Sequence, residues 1–134
     1  RFYKVPLSGK EVCILGRSLV VGKPLSLLML GEDATVTICH SRTENSKEIC
    51  RRADVLVTAM GKAKAVGSSY CKEGATVIDV GINTDKDGNL CGDVDYDTMK
   101  TVAERLSPVP GGIGPITTAV LARHLVRAYQ MQTE

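Results

Sequence analysis

The stretch from Val12 to Leu30 constrains this chain more than any other. It runs as an apolar segment Val12-Cys13-Ile14-Leu15, then Gly16-Arg17-Ser18-Leu19-Val20-Val21-Gly22-Lys23-Pro24, then Leu25-Ser26-Leu27-Leu28-Met29-Leu30. The first part has the length and character of a buried parallel strand. Pro24 suits the first turn of a helix, where its missing N–H has no partner to lose. Strand, glycine loop and helix in this order bring a helix N-terminus, with its dipole and backbone N–H groups, to the place where a doubly wound fold holds a dinucleotide pyrophosphate. Gly16 permits the tight turn and Gly22 the close approach. The spacing Gly-x-Ser-x-x-x-Gly departs from Gly-x-Gly-x-x-Gly, so taken alone the loop fits an ordinary βα turn without nucleotide equally well.

The segments Ala34 to Cys39, Asp54 to Ala59 and Ala75 to Val80 repeat the short β-branched pattern and read as three more strands. Between them the sequence predicts a helix with Thr43 as cap and Lys47 to Arg52 inside it, and a short helical turn over Ser68 to Lys72. The alternation predicts an α/β, Rossmann-like, doubly wound fold: a mainly parallel sheet with helices on both faces and right-handed crossovers. Such sheets bind ligands outside the carboxyl ends of their strands, so Gly16, Ser41, Gly61 and Gly81 are expected along one crevice. Asp85-Lys86-Asp87-Gly88-Asn89 reads as the turn of a small hairpin, and its acids lack calcium-loop spacing. Asp95 or Asp97 is expected to cap a helix continuing through Arg105.

Ser107 to Thr117 is rich in proline and glycine and leads into an amphipathic helix over Thr118 to Tyr129. A stiff loop poor in side chains lets backbone approach a flat ligand closely, although composition alone favours a structural loop. His124, inside that helix, reads as a surface or packing histidine.

At 134 residues the chain fits one domain, 1–134, and no apolar run reaches the length of a membrane span. Seventeen Lys and Arg against fifteen Asp and Glu leave a net charge of +2, too small and dispersed to make nucleic acid the main partner. The five cysteines follow no Cys-x-x-Cys spacing, and their odd number argues for a reducing compartment. Cys13 and Cys39 read as small buried hydrophobes, and no metal is assigned. The opening at Arg1 suggests a piece of a longer polypeptide.

Cofactor choice follows from the end of the second strand. Domains that prefer NAD place an acid there, about twenty residues past the glycine loop, to accept from the ribose 2′-OH. Here Cys39-His40-Ser41-Arg42-Thr43 offers no carboxylate, and Ser41 with Arg42, joined by Arg17, supplies neutral and cationic donors suited to a 2′-phosphate. NADP is therefore favoured over NAD.

Gly16 to Pro24, Val77 to Asn83, Gly92-Asp93-Val94 and above all Pro108-Val109-Pro110-Gly111-Gly112-Ile113-Gly114-Pro115-Ile116-Thr117 closely resemble the NAD(P)-binding domain of the methylenetetrahydrofolate dehydrogenase/cyclohydrolase family. The resemblance covers nearly the whole chain. It implies a bifunctional enzyme of one-carbon metabolism that oxidises 5,10-methylenetetrahydrofolate with NADP and hydrolyses the methenyl product to 10-formyltetrahydrofolate. By position it implies cofactor contacts from Gly16, Arg17, Ser18, Gly22, Ser41, Arg42 and Ile82, with Thr117 at the nicotinamide end. Pro110, Gly111, Gly112, Ile113 and Gly114 would face the folate. The family's N-terminal domain, with its Tyr-x-x-x-Lys pair, has no counterpart here, and Tyr3-Lys4 is not that motif. The expectation is a cofactor domain without catalytic residues of its own, sharing its folate with the absent domain and inactive alone. The resemblance further implies a homodimeric parent, in the cytoplasm or alternatively the mitochondrial matrix. An NAD-dependent member of the family and a non-catalytic dinucleotide-binding module are the competing readings.

Overall fold

The computed structural model describes residues 3–133. A five-stranded parallel sheet organises them, built from β1 (Glu11–Leu15), β2 (Thr35–Cys39), β3 (Val55–Thr58), β4 (Thr76–Asp79) and β7 (Arg105–Leu106) in the spatial order β2-β1-β3-β4-β7. β1 pairs with β2 from Glu11↔Thr35 to Leu15↔Cys39, and with β3 from Val12↔Val55 to Leu15↔Thr58. Alternation along these strands separates two cores. Val12, Ile14, Val55 and Val57 point to the face covered by α1 (Gly22–Leu30), where Leu25 and Met29 pack against them. Cys13, Leu15, Leu56 and Val77 point to the other, packed with Cys50 of α2 (Ser46–Cys50), Tyr70 of a 3₁₀ turn (Ser68–Tyr70) and Met99 of α3 (Tyr96–Met99). Strands sandwiched between helices must be apolar on both sides, which is why β1 and β3 read as continuous hydrophobic runs. The expected Rossmann-like doubly wound architecture is present.

The hairpin around Asp85 is also present, as β5 (Asn83–Thr84) paired antiparallel with β6 (Leu90–Cys91). Three local expectations are corrected. Thr43 does not cap α2: its Oγ1 accepts from the His40 N–H at 2.9 Å, and Asn45, at φ 52°, holds the capping position. Arg51 and Arg52 lie beyond the helix in the following turn. The helix capped by Asp95, whose side chain accepts from the Thr98 N–H, stops at Met99 instead of running through Arg105. The chain instead delivers Arg105 and Leu106 to the open edge of β4, in register Thr76↔Arg105 and Val77↔Leu106. An unpaired strand edge satisfied by two residues outweighs a further turn of helix.

The last helix, α4 (Ile113–Thr133), starts earlier than the expected Thr118 and contains no buried residue. Its apolar side chains Leu121, Leu125, Val126 and Tyr129 are exposed, as is His124. Ile78 and Val80 continue the α1 face of the sheet at β4. Val57, Ile78 and Val80 there meet Val20, Leu28 and Ile113 along an apolar groove of ≈ 330 Å³.

Candidate functional site

Because β1 to β4 are parallel, their carboxyl ends share one edge of the sheet, and the residues following each strand converge there. The glycine loop forms the first part of this edge. Gly16 N–H donates to the Cys39 carbonyl at 2.8 Å, fastening the loop to the end of β2. Gly22 is buried where α1 begins, and a Cβ on it would lie 2.1 Å from the Gly16 carbonyl oxygen, so glycine alone lets helix and loop meet. Within the loop Lys23 N–H donates to the Ser18 carbonyl at 3.0 Å, and Val21 N–H donates to Ser18 Oγ at 3.0 Å. These bonds use amides near the helix start, so an anion would draw its donors from the exposed loop tip, residues 17–20.

The turn after β2 lies beside it. His40 N–H donates to Thr43 Oγ1, Arg42 N–H donates to His40 Nδ1 at 3.2 Å, and Thr43 N–H donates to the His40 carbonyl at 2.9 Å. This closed turn leaves Ser41 and Arg42 exposed, as Arg17 is in the neighbouring loop. The first carboxylate after β2 is Glu44, beyond the turn.

At the other end of the edge, Asp79, Gly81, Ile82 and the segment Pro108 to Pro115 line a cavity of ≈ 170 Å³. Here the proline-glycine loop folds against the exit of β4. The Val109-Pro110 peptide is cis. A Cβ on Gly112 would lie 2.2 Å from the Pro108 carbonyl oxygen, so the loop closes this tightly through the missing side chain. Ile82 stands 69% exposed at the cavity mouth, an apolar surface suited to a flat ring. Thr117 sits one turn into α4, where its Oγ1 donates to the Ile113 carbonyl at 3.1 Å; it is not among the residues lining this cavity. The structure therefore gathers Gly16, Arg17, Ser18, Gly22, Ser41 and Arg42 at one end, and Ile82 with Pro110 to Gly114 at the other.

At the exit of β4 lies a pair of buried acids, Asp79 and Asp93, which stand in the quoted motifs but carry no role in the sequence analysis. Asp79 is 3% exposed and Asp93 is inaccessible. Asp79 Oδ1 accepts from Thr58 Oγ1 at 3.0 Å, from Gly81 N–H at 2.9 Å and from Asp93 N–H at 3.1 Å, and Oδ2 accepts from Val94 N–H at 2.9 Å. Asp93 in turn accepts from the N–H groups of Met60, Gly61 and Lys62 and from the Asn83 amide. Gly61 and Gly81, expected along the crevice, thus spend their N–H groups on this network. Buried carboxylates demand such saturation, and the result ties the exits of β3 and β4 to β6. Ser107 Oγ accepts from Asp79 N–H at 2.8 Å and anchors the start of the proline-glycine loop to the same point. The available cue was an acid ending a β-branched run, Thr76-Val77-Ile78-Asp79.

At the hairpin, Lys64 Nζ lies 2.9 Å from Asp85 Oδ2, and that ion pair holds the Asp85 carboxyl below its ordinary range.

Comparison with known proteins agrees with this layout. Residues 1–133 match the family described as "Tetrahydrofolate dehydrogenase/cyclohydrolase, NAD(P)-binding domain". The "Bifunctional protein FolD" of Carboxydothermus hydrogenoformans is 55% identical over 133 residues, covering 98% of this chain and 46% of the relative. The crystal structure of the bifunctional FolD enzyme from Campylobacter jejuni superposes with a TM-score of 0.94 at 37% identity, over 98% of this chain and 46% of that one. The Trypanosoma brucei methylenetetrahydrofolate dehydrogenase-cyclohydrolase, solved with NADP cofactor and an inhibitor, gives 0.91 at 36% identity, over 99% and 48%. The chain thus spans about half the length of the relatives it matches. With a glycine loop at the head of α1, a turn without acid after β2 and a proline-glycine loop at the exit of β4, this chain belongs to the tetrahydrofolate dehydrogenase/cyclohydrolase family as its NAD(P)-binding domain.

Proposed function

We propose that this chain binds NADP along the carboxyl edge of its sheet and forms the cofactor half of a 5,10-methylenetetrahydrofolate dehydrogenase/5,10-methenyltetrahydrofolate cyclohydrolase. One observation carries the choice of NADP. The exposed Arg17 of the glycine loop and the exposed Ser41 and Arg42 of the next turn flank a strand end without carboxylate, and the Gly16–Cys39 bond fastens the two segments together. Two guanidinium groups and a hydroxyl suit a 2′-phosphate, whereas an acid there would repel it. The contact between Gly22 and Gly16 supports a pyrophosphate held at the loop tip, with Ser18 beside it.

The remaining roles follow the direction of the edge. Ile82 offers its exposed face to the nicotinamide half, with Thr117 beyond it, and Pro110 to Gly114 present a backbone surface to the folate. When bound, the nicotinamide supplies the hydride-accepting chemistry. This chain's own residues bind and orient, and none of them is assigned a catalytic role. The polypeptide that makes up the rest of the relatives' length completes the folate cleft, so the 134-residue chain by itself has no turnover. The match to one NAD(P)-binding domain supports reading 1–134 as one domain; a homodimeric, cytoplasmic parent is part of the same proposal.

Calorimetric titration of this chain with NADP and with NAD tests the reading. NADP binding at least about tenfold tighter than NAD, a gap of roughly 1.4 kcal/mol, is expected. Equal affinities, or tighter NAD, favour the NAD-dependent alternative. Dehydrogenase turnover by the pure chain would overturn the assignment of catalysis to the part of the relatives that this chain does not span.

A further inference from the structure

Cys13, Cys39 and Cys50 come from β1, the end of β2 and the end of α2, and their sulfurs converge on one point. Cys13 Sγ lies 3.5 Å from Cys50 Sγ and 3.7 Å from Cys39 Sγ, and all three sulfurs fall within 4.8 Å of one another. All are free thiols, each at most 1% exposed. We propose that these three cysteines form a trigonal thiolate site for a soft, low-coordinate monovalent cation, Cu(I).

The spacing supports a shared ion over a disulfide. Sulfurs bonded to one metal at about 2.3 Å stand about 4 Å apart in a trigonal plane; the Cys13–Cys50 and Cys13–Cys39 edges, at 3.5 and 3.7 Å, fall a little inside that and the third lies within 4.8 Å. A disulfide would bring two of them to about 2 Å. The ligand count supports Cu(I) over Zn(II). Among the described residues this group holds three ligands and no fourth. Structural zinc closes a tetrahedron of four protein ligands, whereas soft thiolates with few partners select Cu(I). Simple apolar packing would be served by any three small side chains and has no need for three sulfurs facing each other.

The site has a route and a countercharge. A cavity of ≈ 100 Å³ reaches Cys13 between Glu11, Thr35, Thr37 and Arg52, whose side chains are exposed at the surface. Before binding, Cys13 and Cys39 carry their protons: the thiol of Cys50 and burial push Cys13 far up, and burial pushes Cys39 up to about 12. On binding, each Cu–S bond replaces an S–H bond, the proton passes to solvent and copper keeps its oxidation state. The guanidinium of Arg52, close enough to Cys13 to favour its anion, offsets part of the charge.

The test is anaerobic titration of the whole chain with Cu(I) against a chromophoric Cu(I) chelator, with X-ray absorption spectroscopy of the loaded protein. One Cu(I) per chain, bound by three sulfurs at about 2.3 Å, is expected. Cys13→Ala and Cys50→Ala should each lose Cu(I) to the chelator, while Cys71→Ala and Cys91→Ala, whose thiols lie outside the cluster, should leave retention unchanged. Should the cluster variants fail to fold, the sulfur count on the wild-type chain still decides. Fewer than three sulfur ligands, loss of all copper to the chelator, or equal loss in the Cys71 variant would overturn the site.

Discussion

The backbone N–H of Asp93 donates to the Asp79 carboxylate at 3.1 Å, so two buried acids share one hydrogen-bonded network at the sheet edge. Neither faces a cation in that network. Asp79 is held by the Thr58 hydroxyl and three backbone N–H groups, and Asp93 by three backbone N–H groups and the Asn83 amide, which is how two carboxyl groups can be buried side by side. The network fixes the exits of β3 and β4, and through Ser107 the start of the proline-glycine loop.

Removing Asp93 should therefore be among the most damaging single changes. Asp93→Ala strips the partner from three backbone N–H groups and the Asn83 amide at once. Since one buried unsatisfied donor costs about 1–3 kcal/mol, a loss of about 3 kcal/mol or more is expected in urea unfolding. A loss below about 1 kcal/mol would mean that water replaces the carboxylate without strain.

Gly22→Ala tests the loop. The added Cβ would overlap the Gly16 carbonyl oxygen, backbone that cannot swing aside, so loop or helix must shift. Overpacking of this kind costs about 1–3 kcal/mol. The titration described for the wild-type chain should show NADP affinity falling at least tenfold, about 1.4 kcal/mol, and a variant that melts and binds normally would remove the loop from the proposed site.

Substitutions at the cationic end of the edge should change cofactor preference rather than lower both affinities. Arg17→Ala and Ser41→Asp should each weaken NADP by about tenfold or more while leaving NAD within about twofold, if the proposed 2′-phosphate contact is made at those positions. Equal losses for both cofactors would place the 2′-phosphate elsewhere.

Stability should carry a mild pH signature from Asp54. Its carboxylate is held below the usual range by Lys72 Nζ at 2.7 Å and by the Glu11 N–H at 3.1 Å. A carboxyl whose pKa is lower in the folded chain stabilises above its unfolded value, about 4, and loses that contribution as pH falls through the depressed folded value. Lys72, raised by the same partner, keeps its share up to its ordinary range and loses it as pH rises beyond that. Asp54→Asn should flatten the acid-side fall in melting temperature, with a small effect at pH 7 because the pair is partly exposed.

Shortening the chain after Thr118 should cost little. No residue of α4 is buried, so loss of residues 119–134 should change unfolding free energy by less than about 1 kcal/mol. It should also lower any tendency to self-associate through the exposed Leu121, Leu125 and Tyr129. A large loss of stability would show that α4 packs on the body of the chain in solution.

The sequence by itself determined the alternation of strands and helices, the parallel sheet, the glycine loop, the acid-free turn after β2 and the family, because these are written in local period and in motifs. What tertiary structure alone decided depends on partners far apart in the chain. β7 exists because β4 offered an edge, and Leu106 answers Val77 across 29 positions. Thr43 lost its cap because the His40 N–H claimed its hydroxyl. α4 kept its apolar side chains in the open because amphipathic periodicity states which residues could be buried, not that anything among the described residues covers them. Asp79 met Asp93, and three scattered cysteines met at one point, through strand pairing and helix packing, long-range contacts that no spacing rule along the chain encodes.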